Sequence, residues 1–274
     1  NNAEFNPKMN QNEVTIASPN DVLSLFQGDK QIGAFADDLA AGKKAVLDEY
    51  AKFDEGKLLS DAKKQAFDEQ ILDGNLQPTG PQQGTQKGGT YIDAATGQEY
   101  YVKYPSNPDI AKNEFLAATL YRMFGVAFPE TKLVANAQGD VVGIGSEIAK
   151  GAKMITPDEF AALPADVKKG FADDLLVDMF LGNWDVVGNA PNFNLMLSPS
   201  GTVFRLDPGG ALVFRAQGAL KPDSYTAGTK IEEFETFFDA KTNPNVKKVI
   251  DAMGMSQQEL DDVMAKTSAR IFEA

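Results

Sequence analysis

The chain of 274 residues contains no cysteine and no histidine. Those absences exclude disulfides, thiolate nucleophiles, Ser-His-Asp catalysis and zinc sites built on His or Cys. Any chemistry must rest on carboxylates, lysine, arginine, hydroxyls and amides, with an oxygen-loving cation such as magnesium as the matching metal. Long apolar runs are missing too: none approaches a membrane span, and no secretory signal opens the sequence. Positive charge is scarce, with 26 Lys and Arg against 39 Asp and Glu, a formal net charge of −13. Such a surface repels nucleic acid and anionic lipid unless basic residues cluster, and no dense basic run occurs. The first residue is Asn1 rather than Met. A processed product or a segment of a longer polypeptide is expected, either cytoplasmic or delivered into a host cell.

Hydrophobic residues make up 43% and charged residues 24%, an ordinary globular balance. The length suits one large domain or two lobes around a substantial core. Residues 1–30 read as a polar arm. Apolar spacing predicts helices over 34–53 and 60–72, the second with Ile71 on its apolar face. Residues 77–89, rich in Gly and Pro, read as a linker. Thr90-Tyr-Ile-Asp93 and Glu99-Tyr-Tyr-Val-Lys-Tyr104 form a hairpin pattern joined by 94–98. A helix over 109–124 is stopped by Gly125, and strands are expected over 130–135 and 141–148.

Thr156-Pro-Asp-Glu159 is a capping box with Pro at the first helical position. An amphipathic helix over 167–181 follows. Thr229-Lys-Ile-Glu232 and Ser256-Gln-Gln-Glu259 are further capping boxes, opening helices over 231–240 and 257–272, with another over 245–253 between them. The fold class expected is α+β. An arm and helical extension over 1–78 precede a strand-rich small lobe over 79–152 and a helical lobe over 153–274.

Candidate site residues fall at the junction. Lys103 alternates with apolar residues on an expected central strand, and a buried Lys needs an anionic partner. Glu114, on the next helix, can turn inward to supply one. A solvent-facing Lys and an ordinary helix Glu fit the same pattern. Gly84-Thr-Gln-Lys-Gly88-Gly89 could cover phosphates with bare backbone amides or serve as a plain linker. Asp185 follows the apolar stretch Met179-Phe-Leu-Gly-Asn-Trp. Asn194 opens Leu195-Met-Leu197, and Asp207 ends Val203-Phe-Arg-Leu206 at the forced turn Pro208-Gly-Gly. Asn194 and Asp207 would sit at neighbouring strand ends and converge on one cation, while Asx turns and caps are the alternative. Phosphoryl transfer uses this kind of set: one carboxylate to orient the acceptor, an amide and a second carboxylate to hold magnesium.

With those residues in order, the chain resembles the protein-kinase-like superfamily, in the atypical branch of HipA-type bacterial kinases, actin-fragmin kinase and phosphoinositide kinases. Gly182-Asn-Trp-Asp185 resembles the Gly-Asn-x-Asp catalytic loop, and Arg205-Leu-Asp207-Pro-Gly-Gly the metal-binding segment. Tyr101-Val-Lys103-Tyr-Pro and Asn113-Glu114 resemble the nucleotide-binding strand and its acidic partner. The likeness spans residues 84–218. It also extends to kinase-like domains embedded in phage and bacterial polypeptides. It implies a two-lobed kinase-like fold and an ATP- and magnesium-dependent kinase acting on a protein hydroxyl. Lys103 would orient phosphates and Asp185 position the acceptor. Lys103, Glu114, Gly88, Gly89 and Glu147 would hold nucleotide, with adenine read by backbone groups near Glu147. Asn194 and Asp207 would bind the metal. The His that neighbours the catalytic Asp in that branch has no counterpart, and the gap from Asp185 is long enough that Asn189 and Asn192 rival Asn194. A non-catalytic kinase-like binding or virion-associated module, and a structural calcium site at Asp185 and Asp207, are the alternatives.

Overall fold

Alternating apolar and polar side chains bury every second residue of Glu99–Lys103, with Tyr100 and Val102 turned into one cluster and Lys103 to the opposite face. In this computed structural model, which describes residues 71–72, 75–82, 86–187, 194–221, 241 and 243–273, that strand is central to a six-stranded sheet. Its members are β1 (Ile71–Leu72), β2 (Leu76–Gly80), β3 (Gly88–Asp93), β4 (Glu99–Lys103), β5 (Thr131–Ala135) and β6 (Val141–Glu147). The spatial order is β1-β5-β6-β4-β3-β2, antiparallel except for the β1–β5 pair.

Helix α1 (Pro108–Met123) begins as its sequence dictates. The Asn107 side chain accepts from the Asp109 amide at 3.0 Å, and Pro108 occupies the first turn. Phe115 packs with Leu133 and Ile144 of the sheet, while Ala117, Leu120 and Tyr121 enter the main core of the helical part. One helix is thus wedged between both halves. Glu114 rides on it.

The helical part contains α2 (Pro157–Ala161), α3 (Ala165–Ala172), α4 (Leu175–Phe180), α5 (Pro244–Met253) and α6 (Gln257–Glu273). A second sheet has the order β7-β8-β9, from Lys153–Met154, Leu195–Leu197 and Val203–Arg205. The Thr156 capping box forms as expected, with both reciprocal bonds present. The arrangement is the α+β one anticipated, a strand-rich half followed by a helical half.

Three local expectations change. The supposed linker over 77–89 supplies β2 and the start of β3. Pro78 is accommodated because β2 lies at the sheet edge, where the register slips between Pro78 and Gly80. Ile71 and Leu72 are strand, not helix, because they pair in parallel with Leu133 and Val134 far along the chain. The continuous helix over 167–181 is broken into α3 and α4. At the break the Asp173 carbonyl accepts from Thr267 Oγ1 at 2.5 Å and Arg270 Nη2 at 3.0 Å, and the Asp174 carboxylate takes Arg205 and Arg270. Tertiary anchors outcompete the next helical turn there. The expected elements over 34–53, 60–70 and 231–240 lie outside the described residues.

Candidate active site

The strand pattern that buries Val102 turns Lys103 toward α1. Lys103 Nζ donates to Glu114 Oε2 at 3.2 Å and to Asp207 Oδ1 at 2.5 Å. Three elements distant in sequence therefore meet at one ammonium. Burial by itself would lower the Lys103 pKa, but the two carboxylates outweigh it and hold the group charged. Glu114 is 2% exposed, and burial pushes its carboxyl up to about 7 against the pull of Lys103. Its second oxygen, Oε1, has no hydrogen-bond partner among the described residues.

Asp207 stands where β9 ends, in the left-handed region at φ 47°, ψ 73°. Asp tolerates that region better than most residues, at a cost of about 1 kcal/mol or more. Pro208–Gly210 then forms a 3₁₀ turn, and the Gly209 amide bonds the Asp207 carboxylate. Gly209 is closely surrounded: a Cβ there would lie 3.0 Å from Glu114 Oε1 and 3.3 Å from Asp207 Oδ1, so a side chain would press on both carboxylates. Burial raises the Asp207 carboxyl, but Lys103 more than offsets this and keeps it below the usual range.

Asp185 lies in the 3₁₀ turn Trp184–Val186 just after α4. The pairing of β8 with β9 brings Asn194 to it: Leu206 N donates to Asn194 O at 2.8 Å, continuing the ladder past Leu195 and Arg205. Asn194 Nδ2 then donates to both Asp185 O and Asp185 Oδ2 at 3.1 Å. The Asp185 carboxyl is raised, first by burial and next by the Asp207 charge, while the Asn194 amide opposes the shift.

Of the residues singled out, Lys103, Glu114 and Asp207 are joined directly, and Asp185 with Asn194 forms an adjoining pair under the influence of Asp207. Gly88 and Gly89 do not precede the first strand of the hairpin. They lie within β3 opposite Lys103 and Val102, where a Cβ on Gly88 would fall 2.2 Å from the Val102 carbonyl oxygen. Glu147 ends β6 opposite Tyr100, so its side chain shares the Tyr100 face, whereas Ser146, opposite Tyr101, shares the face of Lys103. Asn189 and Asn192 lie outside the described residues. Among the described residues, no group of three or more acidic side chains is arranged to cage a metal.

Several contacts escaped the sequence reading. Asn113 donates to Ala211 O at 3.0 Å and accepts from Val213 N at 3.3 Å, a side-chain imitation of strand pairing that clamps the segment after Asp207. Lys221, nearly buried, donates to Gly182 O at 2.8 Å and holds the Asp185 loop from the other side. Asp178 and Arg205, both wholly buried, form a two-point ion pair beneath the two loops. The available signal was a polar residue inside an apolar run, as in Leu-Leu-Val-Asp178-Met-Phe.

No family model matches this sequence, and no curated protein does. Among solved structures the chain is similar to the proinflammatory kinase CtkA of Helicobacter pylori, with 11% identity and a TM-score of 0.43 over 74% of this chain and 99% of that one. It is also similar to choline kinase LicA of Streptococcus pneumoniae, with 8% identity and a TM-score of 0.35 over 78% of this chain and 98% of that one.

Proposed function

We propose that this chain is a kinase-like phosphotransferase that moves the γ-phosphoryl group of ATP to a hydroxyl, with a protein as the acceptor and magnesium as the cation. The observation that carries the reading is the Lys103 ammonium held at once by Glu114 of α1 and Asp207 of the β9 turn. A lysine so fixed is a point charge aimed at phosphate oxygens. Asp185 is the group to receive the acceptor proton. Its raised carboxyl pKa favours proton uptake, and the Asn194 amide orients it. In the transfer the acceptor oxygen bonds to phosphorus as the bridging P–O bond breaks. The proton passes to Asp185 and ADP leaves.

The donor set fits magnesium. Asp207 is a carboxylate kept ionised, and Asn194, with Nδ2 committed to Asp185, has its Oδ1 to offer. One or two such protein oxygens plus substrate phosphates are the usual complement for that ion. Bound there, magnesium would neutralise charge developing on the phosphates. Backbone groups at the end of β6 supply the reading of adenine. Gly182-Asn-Trp-Asp185 and Arg205-Leu-Asp207-Pro-Gly-Gly favour the HipA-type branch within the superfamily.

The reading predicts that magnesium with ATP raises the melting temperature of the wild type and not of Asp207→Ala. Phosphate transfer is expected to be lost in Asp185→Ala. Melting that no nucleotide alters would sink the proposal. A non-catalytic module is the competing reading, favoured by the engagement of Asp207 with Lys103, and turnover of labelled ATP that depends on Asp185 would exclude it.

A further inference from the structure

Beneath the two acidic loops lies a connected set of polar side chains that the phosphate chemistry does not touch. Asp178 on α4 accepts from Arg205 Nε at 2.9 Å on Oδ1 and from Arg205 Nη2 at 2.9 Å on Oδ2. Its Oδ1 also accepts from the Tyr121 hydroxyl at 2.9 Å. That hydroxyl in turn accepts from Asn183 Nδ2 at 3.0 Å, and Asn183 N donates to Asp178 O at 2.8 Å. Arg205 further reaches Asp174 and the Phe171 carbonyl, and its guanidinium lies 4.6 Å from the centre of the Phe171 ring. Asp178, Arg205, Tyr121 and Asn183 are all 0% exposed.

Stability alone is a poor reason for such a set. A buried ion pair recovers its desolvation cost only with good geometry, and apolar replacements are often neutral or stabilising. Placement supplies a better one. Arg205 precedes Asp207 by two residues, Asn183 precedes Asp185 by two, and Tyr121 lies two helical turns from Glu114 on α1. Each acidic group of the site thus shares its element with an anchor; Arg205 and Tyr121 meet at the Asp178 carboxylate, and Asn183 joins them through the Tyr121 hydroxyl. Asn183 Oδ1 has no partner among the described residues, so the Asn183 amide group is held through Tyr121.

We propose that Asp178 and Tyr121, with Arg205 and Asn183, are positioning residues that fix the Asp185 and Asp207 loops relative to α1. The catalytic part of this inference rests on the phosphotransferase reading above. Tyr121→Phe is the decisive variant. It removes one oxygen while the ring keeps its stacked contact with Phe128, at 5.1 Å between centroids. Loosening of both loops is expected to lower kcat by on the order of ten- to a hundredfold, with KM for ATP changed less than about threefold. Amide hydrogen exchange over residues 181–187 and 206–212 is expected to speed up by about tenfold, with exchange in β3 and β4 unchanged.

Unchanged exchange in both loop segments overturns the inference whether or not the wild type turns over ATP. Faster exchange with kcat intact overturns its catalytic part. A wild type that shows no ATP turnover instead counts against the phosphotransferase reading, and the exchange result still decides whether the network holds the loops. If Tyr121→Phe does not fold, Asn183→Ala leaves the Arg205–Asp178 pair whole and is read by the same exchange and kinetic measurements.

Discussion

Replacing Arg205 by Met tests whether the polar centre under the site is one energetic unit. Met keeps an unbranched stem of similar reach and deletes the guanidinium. Among the described residues Asp178 then retains only the Tyr121 hydroxyl as a side-chain donor, and the Phe171 carbonyl loses its bond from Arg205 at 3.1 Å. Removing one partner of a buried ion pair costs about 3–5 kcal/mol, because the other charge stays desolvated. In a chain of this size that lowers the melting temperature by on the order of 10 °C. Protonation of the stranded Asp178 is the escape. The folded state then binds a proton that the unfolded chain has released above its ordinary pKa, so the penalty grows as pH rises. Arg205→Met should therefore lose less stability near pH 5 than near pH 8. Adding Asp178→Leu removes the stranded charge and should restore most of the loss, leaving about 1–3 kcal/mol for the Tyr121 hydroxyl, which still accepts from Asn183 but has lost its acceptor, and for the Arg205 bond missing at the Phe171 carbonyl. Melting curves of the three proteins at both pH values decide the matter. A single variant within about 1 kcal/mol of wild type, or a double variant no better than the single, would refute the reasoning.

Other outcomes can be checked alongside. With a folded-state pKa of about 7 against an ordinary 4.5, Glu114 stabilises the fold fully below the lower value, and that contribution is lost as pH rises through the upper one. Glu114→Gln should remove this component from the dependence of melting temperature on pH between 5 and 8, and parallel curves for the two proteins would count against it. Gly88→Ala forces β3 and β4 apart, since its Cβ would fall 2.2 Å from the Val102 carbonyl oxygen, and should cost about 1–3 kcal/mol or more. Gly170→Ala, inside α3 with nothing within 4 Å of the added carbon, should instead stabilise by about 0.5–1 kcal/mol in denaturant titration.

What could be read from the sequence was what short-range patterns encode. The period of two around Lys103 and the turn at Asp207-Pro-Gly-Gly place those residues without knowledge of their partners. The Thr156 and Ser256 capping boxes mark helix starts because cap and partner are three residues apart. What could not be read depends on distant chain. Ile71 and Leu72 are strand only because β5 lies beside them, and the α3–α4 break depends on Thr267 and Arg270 almost a hundred residues later. Arg205 illustrates both limits. The strand Val203–Arg205 buries it beside Val203, yet the carboxylate that makes burial tolerable comes from 27 residues earlier. Composition misled at β2, where a Gly- and Pro-rich stretch is an edge strand rather than a connector.

The meeting of Lys103 with Glu114 and Asp207 has an electrostatic consequence for any anion that approaches it. With Asp185 alongside, three carboxylates face one ammonium, which leaves two negative charges when all are ionised. A polyphosphate arriving bare meets like charge at short range, whereas one escorted by a divalent ion arrives with the deficit already met. Glu114 makes that barrier adjustable, because each proton it takes up removes one of the two surplus charges. Acidity and divalent cation thus act in the same direction on the same obstacle, and the demand for an escorting ion is smallest in acid and steepens as Glu114 ionises near neutrality.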